Sequence, residues 1–442
     1  MKNTIANKKP FSRRDFIKAT AGTAAAAVIP SPILAKDPIK IVFWSNFSSG
    51  TKLEALEAMV SRFNKENPDI IVKHTGFQNE DYKSTILNTA FAGGQPPDIF
   101  TSVGFEWLFS FVREGAVLDI TDYYNQNLRQ RFIPGIESTY EYGGKYWGVP
   151  WGIGGTPFIY YNIDLLEKIG VTSNEINTIE GFENVCDLSL KAGLTPIGFG
   201  NKGQWNAVHW ISNCVKNIMG SKRAIDLFTM KSGRWDDPEP LEGLNRMKSW
   251  VKKNYFGNTL NETYGVGQER FFAGKTLMLG TGGWVVGGLV KAMKKNPKFQ
   301  ADFTEFPVEV GKPGLGSDWI FWGELFAASN TEDEATRAAR IRVLDAVSSP
   351  SYHAMCFPIR ENTYGARGAA ELSEVPLDKL SKKKYKLFNN ATSLIPIPDV
   401  AIPTQATAVM YEEFQGALMD QVSTKEALTN IADAIERFKP KG

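Results

Sequence analysis

The stretch I39-K-I-V-F-W-S45, followed by T51-K-L-E-A-L-E-A-M-V-S-R-F63 and I70-I-V-K-H74, decides the fold. The first and third segments are short apolar runs that predict strands. The middle segment repeats apolar residues at helical spacing from Leu53 to Phe63, which predicts an amphipathic helix. A strand, a helix and a strand in succession predict an α/β protein with a parallel sheet, whose ligands bind beyond the carboxyl ends of the strands.

The first 35 residues predict a secretory signal. A basic segment, S12-R-R-D-F-I-K18, precedes a short apolar run over 19–29 and the small residue Ala35, and the Arg13-Arg14 pair is typical of a twin-arginine address. The apolar run is shorter than the roughly 20 residues that span a bilayer, and no cysteine directly follows it. We therefore expect an exported, periplasmic protein with no stable membrane anchor.

Length and charge limit the classes of function. A chain of 442 residues that is 43% hydrophobic predicts two domains. The predicted signal holds six of the 50 Lys/Arg and one of the 48 Asp/Glu, so the remainder carries a net charge of −3. This balance is not typical of a partner for nucleic acid or for an anionic membrane surface.

The cysteines and histidines predict no metal site. Cys186, Cys214 and Cys356 allow at most one disulfide, lack the spacing of a structural zinc set, and are expected to be buried. The three histidines have no metal-type partner at helical spacing, and no nucleophile elbow, P-loop or complete dinucleotide fingerprint is present. The sequence therefore predicts no catalytic residue and no cofactor.

Tryptophans are abundant at predicted turns and at the ends of predicted strands. A tryptophan beside Gly, Asn, Gln or Glu at such a position has an open face and polar neighbours, which suits stacking on the C–H face of a sugar while amides and carboxylates bind its hydroxyls. Packing between domains is the alternative for each of them. The tryptophans in question are Trp44, Trp107, Trp147, Trp151, Trp205, Trp284, Trp319 and Trp322.

The segment G143-G-K-Y-W-G-V-P-W-G-I-G-G155 combines six glycines and a proline with a tyrosine and two tryptophans. A core strand would carry fewer glycines and a disordered linker fewer aromatics. We interpret the segment as a connection between domains at which bending is tolerated. Trp147 and Trp151 could either pack at this connection or contact a ligand.

Five motifs in order give the chain a family resemblance. They are "NKENPDIIVK", "FAGGQPPDIF", "GGKYWGVPWGIGGTPFIYYNIDLLEKIG", "FFAGKTLMLGTGGW" and the late Q421-V-S-T-K-E-A-L428. Together they resemble the extracellular solute-binding proteins of carbohydrate ABC importers, the maltose-binding protein family. The resemblance implies an α/β, two-lobe periplasmic binding protein fold, in which each lobe is a mainly parallel sheet flanked by helices and the lobes are joined by hinge crossovers.

The resemblance also implies lobe boundaries. Lobe one is expected over 38–150 and 311–350, and lobe two over 151–310 and 351–442. The crossovers are expected near 149–155, 307–316 and 349–357. The implied function is capture of a sugar or oligosaccharide in the interlobe cleft by hinge closure, and delivery, as a monomer, to a membrane permease.

Ligand-binding residues follow from the resemblance and the tryptophan pattern. Trp284 is the expected stacking platform; beside Trp205, Lys202 and Gln204 replace an acid of the family, and Arg360 is equally a ligand donor or a surface charge. The predicted set is Trp44, Ser45, Asn46, Phe47, Glu106, Trp151, Gln204, Trp205, Gly283, Trp284, Asp318, Trp322, Glu324 and Arg360.

Two alternatives stay open at this point. A binder of a phosphorylated polyol or another anionic solute would gather basic side chains in the cleft, for which Lys202 and Arg360 are the candidates. A secreted carbohydrate-active enzyme would need Glu106 and Glu324 as a carboxylate pair separated by roughly 5 to 10 Å.

Overall fold

A computed structural model describes residues 37–132, 136–360 and 377–440. The predicted signal, 1–35, lies outside the described residues. The strands are β1 (Ile39–Ser45), β2 (Ile70–Gly76), β3 (Ile99–Ser102), β4 (Glu141–Tyr142), β5 (Lys145–Tyr146), β6 (Val149–Thr156), β7 (Phe158–Asn162), β8 (Thr195–Gly198), β9 (Thr276–Thr281), β10 (Ala301–Thr304), β11 (Asp318–Ala328) and β12 (Ser393–Pro396).

Helices separate most of the strands. The α-helices of eight or more residues are Gly50–Glu66, Glu106–Arg113, Ile179–Lys191, Trp205–Met219, Ser221–Phe228, Pro238–Lys252, Tyr264–Phe272, Val286–Lys295, Glu334–Val347, Pro350–Arg360, Lys379–Asn389, Thr404–Leu418 and Thr424–Phe438. Shorter helical segments are Asn79–Asp81, Tyr82–Ile86, Leu87–Ala92, Thr121–Tyr123, Tyr124–Leu128, Arg129–Arg131, Ile136–Thr139, Ile163–Lys168, Ser173–Asn177, Gly283–Val285 and Pro398–Ala401.

The predicted opening of the chain is confirmed. The helix Gly50–Glu66 buries Leu56, Met59 and Phe63, the side that its apolar periodicity predicts. β1 pairs in parallel with both β2 and β3. The first three strands and their connecting helices therefore form the α/β unit expected from the sequence.

The larger sheet has six strands in the order β12-β11-β3-β1-β2, with β6 also paired to β11. β11 runs parallel to β12 but antiparallel to β3 and β6. The smaller sheet has the order β10-β7-β9-β8, in which β8 and β9 alone run parallel. The α/β class is confirmed, and both sheets are mixed: three of the five pairings in the larger sheet are parallel, but only one of the three in the smaller sheet.

β6 and β7 link the two sheets directly. β6 belongs to the larger sheet, and after Pro157 the chain enters the smaller sheet as β7. The return passes from β10 through 305–317 to β11. β12, which lies within 351–442, pairs with β11 of the larger sheet. The lobe boundaries given above stay a prediction.

Two glycines of β6 are needed because aromatic rings of β11 leave no space for a side chain at their positions. Gly154 lies opposite Trp322 of β11, and a Cβ added at Gly154 would lie 2.3 Å from the Trp322 ring. A Cβ at Gly155 would lie 2.8 Å from the ring of Trp319. The segment interpreted above as a flexible connection is thus a paired strand over Val149–Thr156, and two of its glycines make room for rings of the neighbouring strand.

Gly154→Ala is expected to lower the free energy of unfolding by about 1–3 kcal/mol, because the new methyl group overpacks against a buried ring. Gly265→Ala is a matched control, since a Cβ there meets nothing within 4 Å. Gly265 lies in a helix, where alanine should raise stability by about 0.5–1 kcal/mol. Denaturant unfolding of both variants measures the difference, and a neutral Gly154→Ala would contradict the ring packing.

The three cysteines are buried, as expected, and no disulfide joins any two of them. Cys356 donates a hydrogen bond from Sγ to the carbonyl of Ala55 at 3.3 Å. None of the helices in the described part of the chain is long and apolar enough to cross a membrane.

Candidate ligand-binding site

Five rings from four separate segments meet to form what we call the aromatic cluster: Trp205, His209, Tyr264, Trp284 and Trp322. Ring centroids are 4.9 Å apart for Trp205 and His209, and 5.3 Å apart for both Trp284 with Trp322 and His209 with Trp322. Trp322 comes from β11 of the larger sheet. The other four belong to segments around the smaller sheet: Trp205 and His209 follow β8, Tyr264 opens the helix before β9, and Trp284 follows β9. The cluster therefore lies where the two sheets meet.

The smaller sheet positions the cluster through its parallel pair. β8 and β9 run side by side in the same direction, so the segments after them leave from the same edge. Trp205 follows β8, and Trp284 follows β9. Trp284 donates from Nε1 to the hydroxyl of Tyr264 at 3.0 Å. A Cβ at Gly282 would lie 1.8 Å from the Trp284 ring, so glycine is needed for that ring to occupy its position.

Two properties make the cluster a suitable surface for a ligand. Trp205, Tyr264 and Trp284 are half-buried and so keep part of their rings exposed. His209 is buried, and its burial, together with the nearby positive charge of Lys83, lowers its pKa to about 3. The imidazole is therefore neutral at physiological pH, and the cluster presents uncharged aromatic rings.

Charged and polar side chains lie beside the cluster. Trp205 donates from Nε1 to Oε1 of Glu80 at 3.4 Å. The ammonium of Lys83 lies 5.5 Å from the ring centroid of Trp107. Trp107 in turn donates from Nε1 to the backbone carbonyl of Asp399 at 3.1 Å.

Asp399 is the most perturbed carboxyl group of this region. Its Oδ2 accepts a hydrogen bond from the hydroxyl of Tyr411 at 2.8 Å. Burial raises the pKa of Asp399 to about 6, while the Tyr411 hydrogen bond and the charge of Lys83 oppose that rise. Burial also lowers the pKa of Lys83, against the charges of Asp399, Glu324 and Glu80. Asp399 and Lys83 are thus close enough to influence each other's ionisation.

Five residues of the predicted set are occupied by contacts within the protein. Ser45 is fully buried, with Oγ 2.8 Å from Nε2 of His74. Both carboxylate oxygens of Glu106 accept from Arg113, at 3.2 and 2.6 Å. The remaining three are Phe47 and Trp151, whose centroids are 5.0 Å apart in the core, and Asp318, whose Oδ2 accepts from the Leu315 amide at 3.0 Å.

Trp151 in particular is not an exposed cleft residue in this conformation. It is 0% exposed, and its ring lies between Phe47 and Phe326 at centroid distances of 5.0 and 5.1 Å. Of the two roles left open for it, packing is the one observed. Trp147 is half-buried and donates from Nε1 to the Tyr142 carbonyl at 3.0 Å.

Other predicted residues lie near the cluster without joining it. Gln204 precedes Trp205 in a left-handed conformation with φ 63°. Gly283 precedes Trp284, and its carbonyl accepts from Lys384 Nζ at 3.3 Å. Glu324 pairs with Lys52 of the first helix.

Three residues remain from the predicted set. Asn46 donates to Asn79 Oδ1 at 2.8 Å and accepts from Thr101 at the same distance. Trp44 packs edge-on against Phe77 at 5.1 Å and lines an open groove of about 450 Å³ beside the segment 85–95, apart from the aromatic cluster. The side chain of Arg360 lies outside the described residues.

Sequence reasoning missed five residues here: Glu80, Lys83, His209, Tyr264 and Asp399. Glu80 follows the carboxyl end of β2, so the rule that selected tryptophans after strands would have found it if extended to acids. His209 lies one turn after Trp205 in the same helix. Asp399 follows β12, which was not predicted as a strand from the sequence.

Both carboxylates named in the enzyme alternative are engaged in ion pairs. Glu106 is paired with Arg113, and Glu324 with Lys52, so each carboxylate is held by its own cation. Within residues 37–132, 136–360 and 377–440, no three His, Cys, Asp or Glu side chains are grouped so that they could hold a metal ion.

Comparison with known families and structures agrees with this architecture. Residues 48–343 match the family model for bacterial extracellular solute-binding proteins, and residues 10–30 match that for a twin-arginine translocation signal. The chain is 20% identical to a chitin oligosaccharide binding protein of known structure, with a TM-score of 0.82 over 91% of this chain and 99% of that one.

Curated relatives are similarly distant in sequence. An uncharacterised ABC transporter extracellular-binding protein of Pyrococcus horikoshii is 22% identical over 313 residues, which span 66% of this chain and 69% of the relative. A maltotriose-binding protein of Pyrococcus abyssi is 22% identical over 254 residues, which span 57% of this chain and 51% of the relative. The alignment thus spans about half of the second relative.

Proposed function

Since the chain belongs to the bacterial extracellular solute-binding proteins and carries a twin-arginine signal for export, we propose that it is the substrate-binding component of an ABC importer. In this role it captures a sugar or oligosaccharide in the periplasm and delivers it, as a monomer, to a membrane permease. The maltotriose and chitin-oligosaccharide binding proteins that it resembles make carbohydrate the first class of ligand to test.

The aromatic cluster is the observation that carries the proposal. Its half-buried tryptophans, Trp205 and Trp284, provide flat apolar surface of the kind on which sugar rings stack. Glu80, Lys83 and Asp399 provide acceptors and a donor at its side. A sugar needs both, because one face of its ring is apolar while its rim carries hydroxyl groups.

Hinge closure would complete the site. Trp322 and Glu80 belong to the part of the chain around the larger sheet, whereas Trp205 and Trp284 follow strands of the smaller sheet. Lys291 of the helix Val286–Lys295 bridges to Glu54 of the first helix at 2.8 Å. A ligand that contacts both sides favours the closed conformation by those additional contacts.

The anionic-solute alternative has less support. It requires basic side chains to converge on the site, but Lys202 is exposed and has no contact with the cluster rings among those described. Lys83, the cation beside the cluster, is accompanied by the carboxylates of Glu80 and Asp399. A phosphate would therefore meet repulsion as well as attraction.

Calorimetry and tryptophan fluorescence on protein unfolded and refolded to remove bound ligand test the proposal. A panel of mono-, di- and oligosaccharides is titrated. A phosphorylated polyol is added to the panel to test the anionic-solute alternative. We expect saturable binding of at least one saccharide, together with a change in tryptophan emission. Binding of the phosphorylated polyol alone, or of no member of the panel, would overturn the sugar assignment.

A further inference from the structure

Asp399 has one carboxylate oxygen without a partner. The residue is 3% exposed, and its Oδ2 is bonded to the Tyr411 hydroxyl. Its backbone carbonyl accepts from both Trp107 Nε1 and Thr407 Oγ1. Oδ1 is buried and has no hydrogen-bond partner among the described residues. A buried acceptor left unpaired is costly, so such an oxygen is usually explained by a missing ligand or water.

The charged groups around Asp399 limit the charge of the group that can donate a hydrogen bond to its Oδ1. Tyr411 faces it from the helix Thr404–Leu418, Lys83 from the helical stretch 79–92, and Trp107 from the helix Glu106–Arg113. Glu80, of the same stretch as Lys83, acts on both Lys83 and Tyr411. Asp399 and Glu80 thus place two negative charges around the single positive charge of Lys83, which also acts on His209 of the neutral aromatic cluster. The excess of negative charge favours a neutral or positively charged group over an anion.

We propose that Asp399 is a specificity-determining residue of the ligand site, whose Oδ1 accepts a hydrogen bond from a hydroxyl or ammonium group of the bound sugar. With Glu80 and Lys83 it forms a polar subsite beside the aromatic cluster that selects neutral and amino sugars against uronates and sugar phosphates. This inference rests on the proposed function, since it concerns the chemistry of the same ligand.

If Asp399 accepts a hydrogen bond from the sugar, the affinity for the sugar should change with pH in a predictable direction. Burial raises the pKa of Asp399 in the free protein to about 6. A donor on the ligand bonds better to the ionised carboxylate, so it favours the deprotonated form. Affinity should therefore rise as the pH increases through about 6, and fall below it.

Three disaccharides with the same ring skeleton serve as probes: a neutral glucoside, its 2-amino counterpart and its uronate. Isothermal titration at pH 5 and pH 8 compares the wild-type protein with Asp399→Asn. We expect the wild type to bind the uronate at least about tenfold more weakly than the better of the other two. A preference for the amino sugar identifies the donor as ammonium, and equal or stronger binding of the glucoside identifies it as hydroxyl.

Asp399→Asn should weaken binding of the preferred sugar about 10- to 100-fold at pH 8, reduce discrimination against the uronate, and remove the pH dependence. Asp187→Asn is the matched control, because Asp187 also accepts from a tyrosine hydroxyl, that of Tyr255 at 2.7 Å, but lies in another helix, Ile179–Lys191. It should leave all three properties unchanged.

The outcomes separate the inference from the function on which it rests. A wild-type protein that binds no sugar would refute the proposed function. A wild type that binds a sugar, with unchanged affinity, selectivity and pH profile in Asp399→Asn, would refute this inference alone. If Asp399→Asn does not fold, the wild-type titrations test the inference by themselves. Equal affinity of the wild type for the uronate and the glucoside would refute the selectivity assigned to Asp399.

Discussion

Trp151→Ala is expected to lower the free energy of unfolding by about 3–5 kcal/mol. Trp151 belongs to β6, and its indole is completely buried in the core, where it packs between Phe47 and Phe326. Removing it leaves a cavity that β6 cannot fill, because β6 is paired along its length with β11. The loss combines transfer of apolar surface with the cost of that cavity.

Trp147→Ala is the matched control for this variant. Trp147 lies four residues earlier in the same glycine-rich segment but is half-buried. Its truncation should cost less than about 1.5 kcal/mol, the scale of one hydrogen bond and a partly exposed ring. Urea unfolding followed by circular dichroism measures both changes. Equal losses in the two variants would show that Trp151 is not the core residue its burial indicates.

Trp284→Ala is expected to weaken sugar binding about 30-fold or more, equivalent to about 2 kcal/mol. Its ring contacts four others, among them Trp205 at 5.9 Å and Trp322 at 5.3 Å, so its loss removes one stacking surface and loosens the rest. Trp284→Phe should have a smaller effect, since it retains a ring but loses the Nε1 hydrogen bond to Tyr264.

The measurement is a titration with the best saccharide of the panel. Trp147→Ala serves again as the control, because it removes an indole outside the aromatic cluster and should leave the dissociation constant unchanged. Unfolding midpoints of all variants show whether a loss of affinity reflects a loss of fold. Wild-type affinity in Trp284→Ala would exclude this ring as a stacking platform.

Local features were predictable from the sequence. The opening strands and helix follow from short-range apolar periodicity. Trp205 and Trp284 were selected because they follow strands, and the parallel pairing of β8 and β9 then brings them to the same edge. The family and its export signal were likewise readable from motifs in order.

The sequence by itself therefore determined the α/β class, the export signal and the strand-end origin of Trp205 and Trp284. Only the tertiary structure decided that Trp151 is core while Trp322 joins the aromatic cluster, because this depends on the register of β6 against β11 and on an irregularity at Glu324/Leu325. It also brought Lys83 and Asp399, more than 300 positions apart, to the same place. Contacts between distant segments leave no local periodicity, so no pattern in the sequence could indicate them.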